Sequence, residues 1–112
     1  MIKLTVLVAR NPALSPEEFH AEWRAHGRMI ADEPVFHSYI RRYEQHHRTP
    51  EDYRNAGPYD GMAVQWFDSF RDFLALLDTP EYAAKMQPDE ARILDPERLV
   101  VLFTEEAEVL IQ

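Results

Sequence analysis

In the segment 99–103, Leu99, Val101 and Phe103 point to one side of an extended chain while Val100 and Leu102 point to the other, so both faces carry hydrocarbon. The segments 2–9, 35–43 and 61–67 also read as strands, being short and rich in β-branched and aromatic residues. In none of them do apolar residues alternate cleanly with polar ones. The sequence offers helices for only one side of such a sheet. The economical cover for the other side is the same sheet from a second copy, which predicts a homodimer closed through its sheet faces.

At 112 residues the chain is one domain, 1–112, large enough for a core without staples. Cysteine is absent, which excludes disulfides and thiolate chemistry and points to a cytoplasmic setting. The first residues are strand-like rather than a cleavable leader, and no apolar run approaches a membrane span, so no membrane partner is expected. Twenty acidic against twelve basic residues give a formal charge of −8, which repels phosphate backbones and excludes nucleic acid as a partner. Three glycines, none in a phosphate-cradling loop, leave no place for a nucleotide, and no cofactor is expected.

Ser15-Pro16-Glu17-Glu18 is a capping box that starts a helix running to about Ile30. Its buried stripe is Phe19, Trp23, His26 and Ile30, spaced four, three and four residues apart. Residues 48–58 form a polar, proline- and glycine-bearing connection, longer than a hairpin needs and of the kind that closes over sites. Ser69 caps a second helix with Phe70, Phe73, Leu74 and Leu77 on its apolar face. Thr79-Pro80 starts a further helical segment that Pro88 is expected to break or kink, and Asp89-Glu90 fits the start of the short turn beyond, favoured by its dipole. The order βαββαβ is the ferredoxin-like α+β plan: a four-stranded antiparallel sheet with helices on one face. The apolar residues of the tail, Val109 to Ile111, are expected to lie against the partner chain.

Among candidate site residues His26 is the most informative, because its imidazole shares the buried stripe and needs a partner, for which Glu22 is one choice. It reads either as a satisfied core histidine or as an acid–base group near neutral pH. In a strand over 35–43 and beyond, His37, Tyr39, Arg41, Tyr43, Gln45 and His47 share one face. That row either converges with His26 on an apolar pocket or fills a dimer interface. In the pocket reading His26, Tyr39 and Tyr43 are the catalytic candidates. Phe19, Trp23, His37, Arg41, Trp66, Tyr82 and Met86 are the substrate-binding ones. His46 and His47 are adjacent on a strand, so their rings point to opposite faces and no metal site is expected.

Together Phe19-x-x-x-Trp23-x-x-His26-Gly27, Tyr59-Asp60-Gly61-Met62-Ala63, Trp66-Phe67-Asp68-Ser69 and Asp89-Glu90-Ala91-Arg92-Ile93-Leu94-Asp95 resemble the EthD family of dimeric α/β-barrel proteins over nearly the whole chain. The chain is also similar to the methylmuconolactone methylisomerases, a resemblance that matches a functional histidine to His26 and a functional tyrosine to Tyr39, with Pro34 and His37 in support. The cysteine of that site has no counterpart here. The resemblance extends to polyketide cyclases, dehydratases and cofactor-independent monooxygenases. It implies a cofactor-free enzyme moving protons on a hydrophobic oxygenated small molecule such as an aromatic polyketide or lactone. The alternatives are a cofactor-independent monooxygenase, or a protein that binds a hydrophobic metabolite without converting it.

Overall fold

The computed structural model describes residues 1–112. Strand β1 (Ile2–Val8) leads through a turn to α1 (Pro16–Asp32), then a single helical turn α2 (Pro34–His37), β2 (Arg42–His47), β3 (Gly61–Phe67), α3 (Phe70–Leu77), α4 (Gln87–Ile93) and β4 (Val100–Thr104). The strands form one antiparallel sheet in the order β2-β3-β1-β4, with Leu4 facing Gln65 on one side and Phe103 on the other. This is the ferredoxin-like arrangement read from the sequence.

The capping box at α1 forms as its residues dictate: the Ser15 hydroxyl accepts from the Glu18 amide at 3.1 Å and the Glu18 carboxylate accepts from the Ser15 amide at 3.0 Å. Phe19, Trp23, His26 and Ile30 are all buried, as their spacing requires. They press two linked cores onto the sheet. Ile30 joins Leu4, Phe36, Phe67, Leu76 and Met86, while Phe19 and Trp23 pack with Val8, Ala63 and Ile93.

Three expectations are corrected. The second strand does not begin at residue 35. Glu33 caps the helical turn α2 by accepting from the Val35 amide at 3.0 Å, and the Ile40 amide donates to the Phe36 carbonyl at 2.8 Å as both side chains enter the core. Sheet pairing starts only where the Arg41 amide donates to Trp66. The row of shared-face residues therefore shortens to Tyr43, Gln45 and His47.

Pro88 does not end its helix. Residues 80–93 stay helical because the turn Tyr82–Met86 widens to π geometry, with the Gln87 amide donating to the Tyr82 carbonyl. The wider turn accommodates a residue that has no amide hydrogen of its own. In α3 the residue driven to the core is Leu76, whereas Phe70 and Leu74 are about half exposed.

The sheet's second face is less apolar than the sequence pattern implies. Lys3 and Thr5 of β1 and Arg42, Glu44 and His46 of β2 lie on it, around a stripe made by Leu7, Met62, Val64, Trp66, Val100 and Leu102. Arg42 and Lys3 stack over the Trp66 ring at 5.4 and 5.9 Å. Val100 and Leu102 remain open, at 45% and 59% exposure, and no element of the chain covers them.

Helix α1 approaches β3 closely at Gly61, where a Cβ would sit 2.6 Å from both the His46 carbonyl oxygen and the Trp23 ring. The carbonyl is backbone and cannot swing away. Gly61→Ala is expected to lower folding stability by about 1–3 kcal/mol, as overpacking does. Chemical denaturation of the two proteins checks this.

Candidate active site

Between the helices and the sheet's inner face lies a cavity of about 270 Å³. Its floor is Leu4, Val6 and Val8 of β1 with Ala63 and Gln65 of β3 and Tyr43 of β2. Its walls are Trp23 and His26 of α1, Phe73 and Leu76 of α3, and Tyr82, Met86, Asp89, Glu90 and Ile93 of the widened helix. Hydrocarbon dominates, and polarity is confined to one imidazole, one amide, two carboxylates and two phenols.

His26 is 7% exposed, and its Nδ1 lies 2.8 Å from Oδ2 of Asp89. Burial raises the Asp89 carboxyl, but hydrogen bonds from His26 and Arg92 outweigh it and leave its pKa below the ordinary value. Asp89 is thus an ionised acceptor, which places the hydrogen on Nδ1 and leaves the Nε2 lone pair unclaimed by any protein group. Arg92 bonds the other Asp89 oxygen at 3.1 Å and Glu22 at 2.7 Å. Glu22 therefore reaches His26 only through Arg92 and Asp89, and the orienting position expected of it is taken by Asp89. Asp89 and Glu90 do lie in the first turn of α4, and beyond the expected dipole role both side chains reach the cavity.

Glu90 is pushed up by burial. The Tyr82 hydroxyl donates to its two oxygens at 3.3 and 3.2 Å. Burial, with the nearby Glu90 charge, pushes the Tyr82 phenol up to about 12. Tyr43 is also pushed up to about 12, chiefly by burial, so it stays protonated. Its oxygen accepts from Gln45 Nε2 at 3.1 Å, and Gln45 also donates to the Trp23 carbonyl at 2.7 Å. The Tyr43 hydrogen is left free of protein acceptors. Gly27 makes this bracing possible, because a Cβ there would meet the Gln45 amide at 2.7 Å.

Of the sequence-predicted residues, the cavity unites His26, Tyr43, Trp23, Tyr82 and Met86. Phe19 stands behind Trp23 in the core, with ring centroids 5.4 Å apart. Tyr39, His37 and Arg41 precede β2 and do not line the cavity. Tyr39 packs against the core edge, His37 bonds the Ala31 carbonyl, and Arg41 pairs with Asp68. Trp66 lies on the opposite sheet face. Asp89, Glu90 and Gln65 were missed; the helical spacing of Tyr82, Met86, Asp89 and Ile93 was the available signal.

A second polar network runs behind Trp23. His20 and His47 meet Nδ1 to Nδ1 at 2.7 Å, His20 Nε2 lies 2.9 Å from the Tyr53 oxygen, and Tyr53 donates to the buried Asp60 at 2.6 Å. Arg10 also binds Asp60, at 2.7 Å. The long connection thus folds inward through Tyr53 and does not border the cavity. His46 instead turns outward to Glu44, so the adjacent histidines diverge as their strand positions require.

These features define a ferredoxin-like α+β protein whose helices close an apolar cavity over a carboxylate-held histidine. The chain belongs to the EthD domain family, which it matches over residues 11–97. It is 26% identical over 111 residues to Dehydratase aurZ of Gibberella zeae, a match covering 88% of this chain and 72% of that protein. A dimeric protein of ferredoxin-like fold from Bacteroides fragilis aligns with a TM-score of 0.71 at 18% identity, over 94% of this chain and 95% of that one. Hydroxynitrile lyase from Passiflora edulis aligns at 0.66 and 17% identity, over 96% and 94%. These two likenesses show the fold. No helix is long and apolar enough to cross a membrane.

Burial lowers the His47 pKa from the ordinary 6.5 to about 4, with Arg24 and His20 adding to the effect. Such a group is protonated first in the unfolded chain, so its contribution to folding stability should fall as pH drops from 6.5 towards 4 and change no further below that. His47→Gln removes this contribution. Denaturation midpoints across that window are expected to show a shallower pH slope for the variant than for the parent.

Proposed function

We propose that the protein is a cofactor-free acid–base enzyme acting on a hydrophobic oxygenated small molecule, with dehydration of a β-hydroxy carbonyl compound as its reaction. The observation that carries this reading is His26, which lines an apolar cavity with its Nδ1 held on Asp89 and its Nε2 without a protein partner. The similarity to a dehydratase supports the same class of chemistry.

In the proposed step Nε2 of His26 removes the proton on the carbon next to the carbonyl. The Tyr43 hydroxyl donates to the carbonyl oxygen as negative charge develops there. Glu90, held towards its protonated form by burial, gives its proton to the departing hydroxyl. A C–H and a C–O bond break, a C=C bond forms, and water leaves. Tyr82 then donates to the Glu90 carboxylate, and the proton on His26 returns to Glu90 to complete the cycle. No electrons are gained or lost overall.

The protein is further proposed to work as a homodimer in which a second copy covers the open stripe of Val100, Leu102, Met62 and Trp66. The exposure of Val100 and Leu102 supports this, as does the dimeric state of the Bacteroides fragilis protein. The C-terminal Val109, Leu110 and Ile111, at 67%, 87% and 93% exposure, are positioned to extend the same contact.

With a turned-over β-hydroxy ketone, His26→Gln should lower kcat by about 10²- to 10⁴-fold, the usual contribution of a general base. Tyr43→Phe should lower it by about 10²-fold or more, as loss of an oxyanion donor does. Chemical denaturation should show both variants folded. An unchanged rate in His26→Gln removes the proposed mechanism. Product formation that requires oxygen would assign monooxygenation instead, and binding of substrates without any conversion would assign a carrier.

A further inference from the structure

Gln65 sits at the centre of β3, between Leu4 and Tyr43 on the cavity floor, and is 91% buried by its 9% exposure. Its side chain makes no hydrogen bond to any protein group, and it is not among the polar groups sealed away without a partner, so its amide atoms open onto the cavity it lines. A polar amide in such a place costs stability unless something else pairs with it. Leucine would fill the same position at no such cost.

The cavity's charges add a second constraint. None of the chain's twelve lysines and arginines lines it, yet two carboxylates do. Asp89 already accepts a hydrogen bond from His26 and is paired with the Arg92 guanidinium, and Arg92 also reaches Glu22 and does not line the cavity. Glu90 has only the Tyr82 hydroxyl and is driven towards its neutral form by burial. An anionic guest would bury its charge beside carboxylates with no counter-ion. A cationic guest would have to hold Glu90 ionised against its surroundings.

We infer that Gln65 is a substrate-recognition residue, whose amide pairs with a carbonyl or hydroxyl group, and that the cavity selects uncharged oxygenated molecules over carboxylates, phosphates and amines. The amide suits this role because it offers a donor and an acceptor side by side. Its neighbour Tyr43 adds a second donor on the same floor, since directly opposed residues on adjacent strands stand about 4.5–5.5 Å apart at Cβ. A vicinal or β-related pair of oxygens on one guest would engage both. The inference rests on the cavity being the substrate site, as in the proposed function, and it names what that site accepts.

The test is equilibrium binding by isothermal titration calorimetry at pH 7.5, using three probes of one shape: 2-naphthol, 2-naphthoate and 2-naphthylmethylammonium. The parent protein is expected to bind 2-naphthol at least about tenfold more tightly than either ion. Gln65→Leu should weaken 2-naphthol about five- to tenfold while its thermal stability stays equal to the parent's or rises. That combination separates recognition from scaffolding, because a structural role would lower stability instead. Comparable or tighter binding of 2-naphthoate overturns the inference, as does unchanged 2-naphthol affinity in Gln65→Leu or binding of none of the three. Tighter binding of the ammonium probe overturns it in favour of Glu90 as a counter-ion. Because no turnover is measured, naphthol selectivity in a protein that dehydrates nothing would sink the reaction and leave this inference standing.

Discussion

The hydrogen bond between His26 and Asp89 joins the first helix to the last across 63 residues of chain, and the cavity is built around it. On one side α1 is pinned to the sheet by Phe19 and Trp23. On the other, the helix bearing Asp89 and Glu90 is pinned by Met86 and Ile93. An inward histidine forces a carboxylate to meet it, and that carboxylate fixes which ring nitrogen faces the hollow.

The π turn at Tyr82–Met86 has a related consequence. It carries the helix past Pro88 without a break, so Tyr82 and Met86 stay on the same wall as Asp89, Glu90 and Ile93. Wide turns of this kind recur at functional sites because they re-aim side chains locally without ending the helix. Here one short stretch supplies both an ionised carboxylate that orients the imidazole and a second one held towards its neutral form. Adjacent acidic residues thus acquire different properties from their neighbours: Asp89 accepts from the His26 imidazole and the Arg92 guanidinium, whereas Glu90 faces a phenol and hydrocarbon.

Much of this was readable from residue order. The capping box, the stripe Phe19-Trp23-His26-Ile30 and the order of elements along the chain follow from local periodicity, which depends on few long-range contacts. The strand pattern over 35–43 misleads because β-branched and aromatic residues outweigh a subtler signal, the helix start at Glu33-Pro34. That error misplaced Tyr39, His37 and Arg41, while Tyr43 survived because it lies within the true strand. Asp89 as the partner of His26 could not be read from spacing, since the contact depends on how two helices distant in sequence cross the sheet. Gln65 was hidden for another reason: one polar residue in an apolar strand reads as ordinary alternation until the face it occupies is known.

The central claim is that His26 holds its hydrogen on Nδ1 and presents a bare Nε2 to the cavity. Long-range ¹H–¹⁵N correlation spectra of the protein labelled at histidine report the tautomer of each neutral ring directly. Neutral His26 should show a protonated Nδ1 and an unprotonated, pyridine-like Nε2, a pattern lost in Asp89→Asn. A neutral His26 carrying its hydrogen on Nε2 in the parent protein would contradict it.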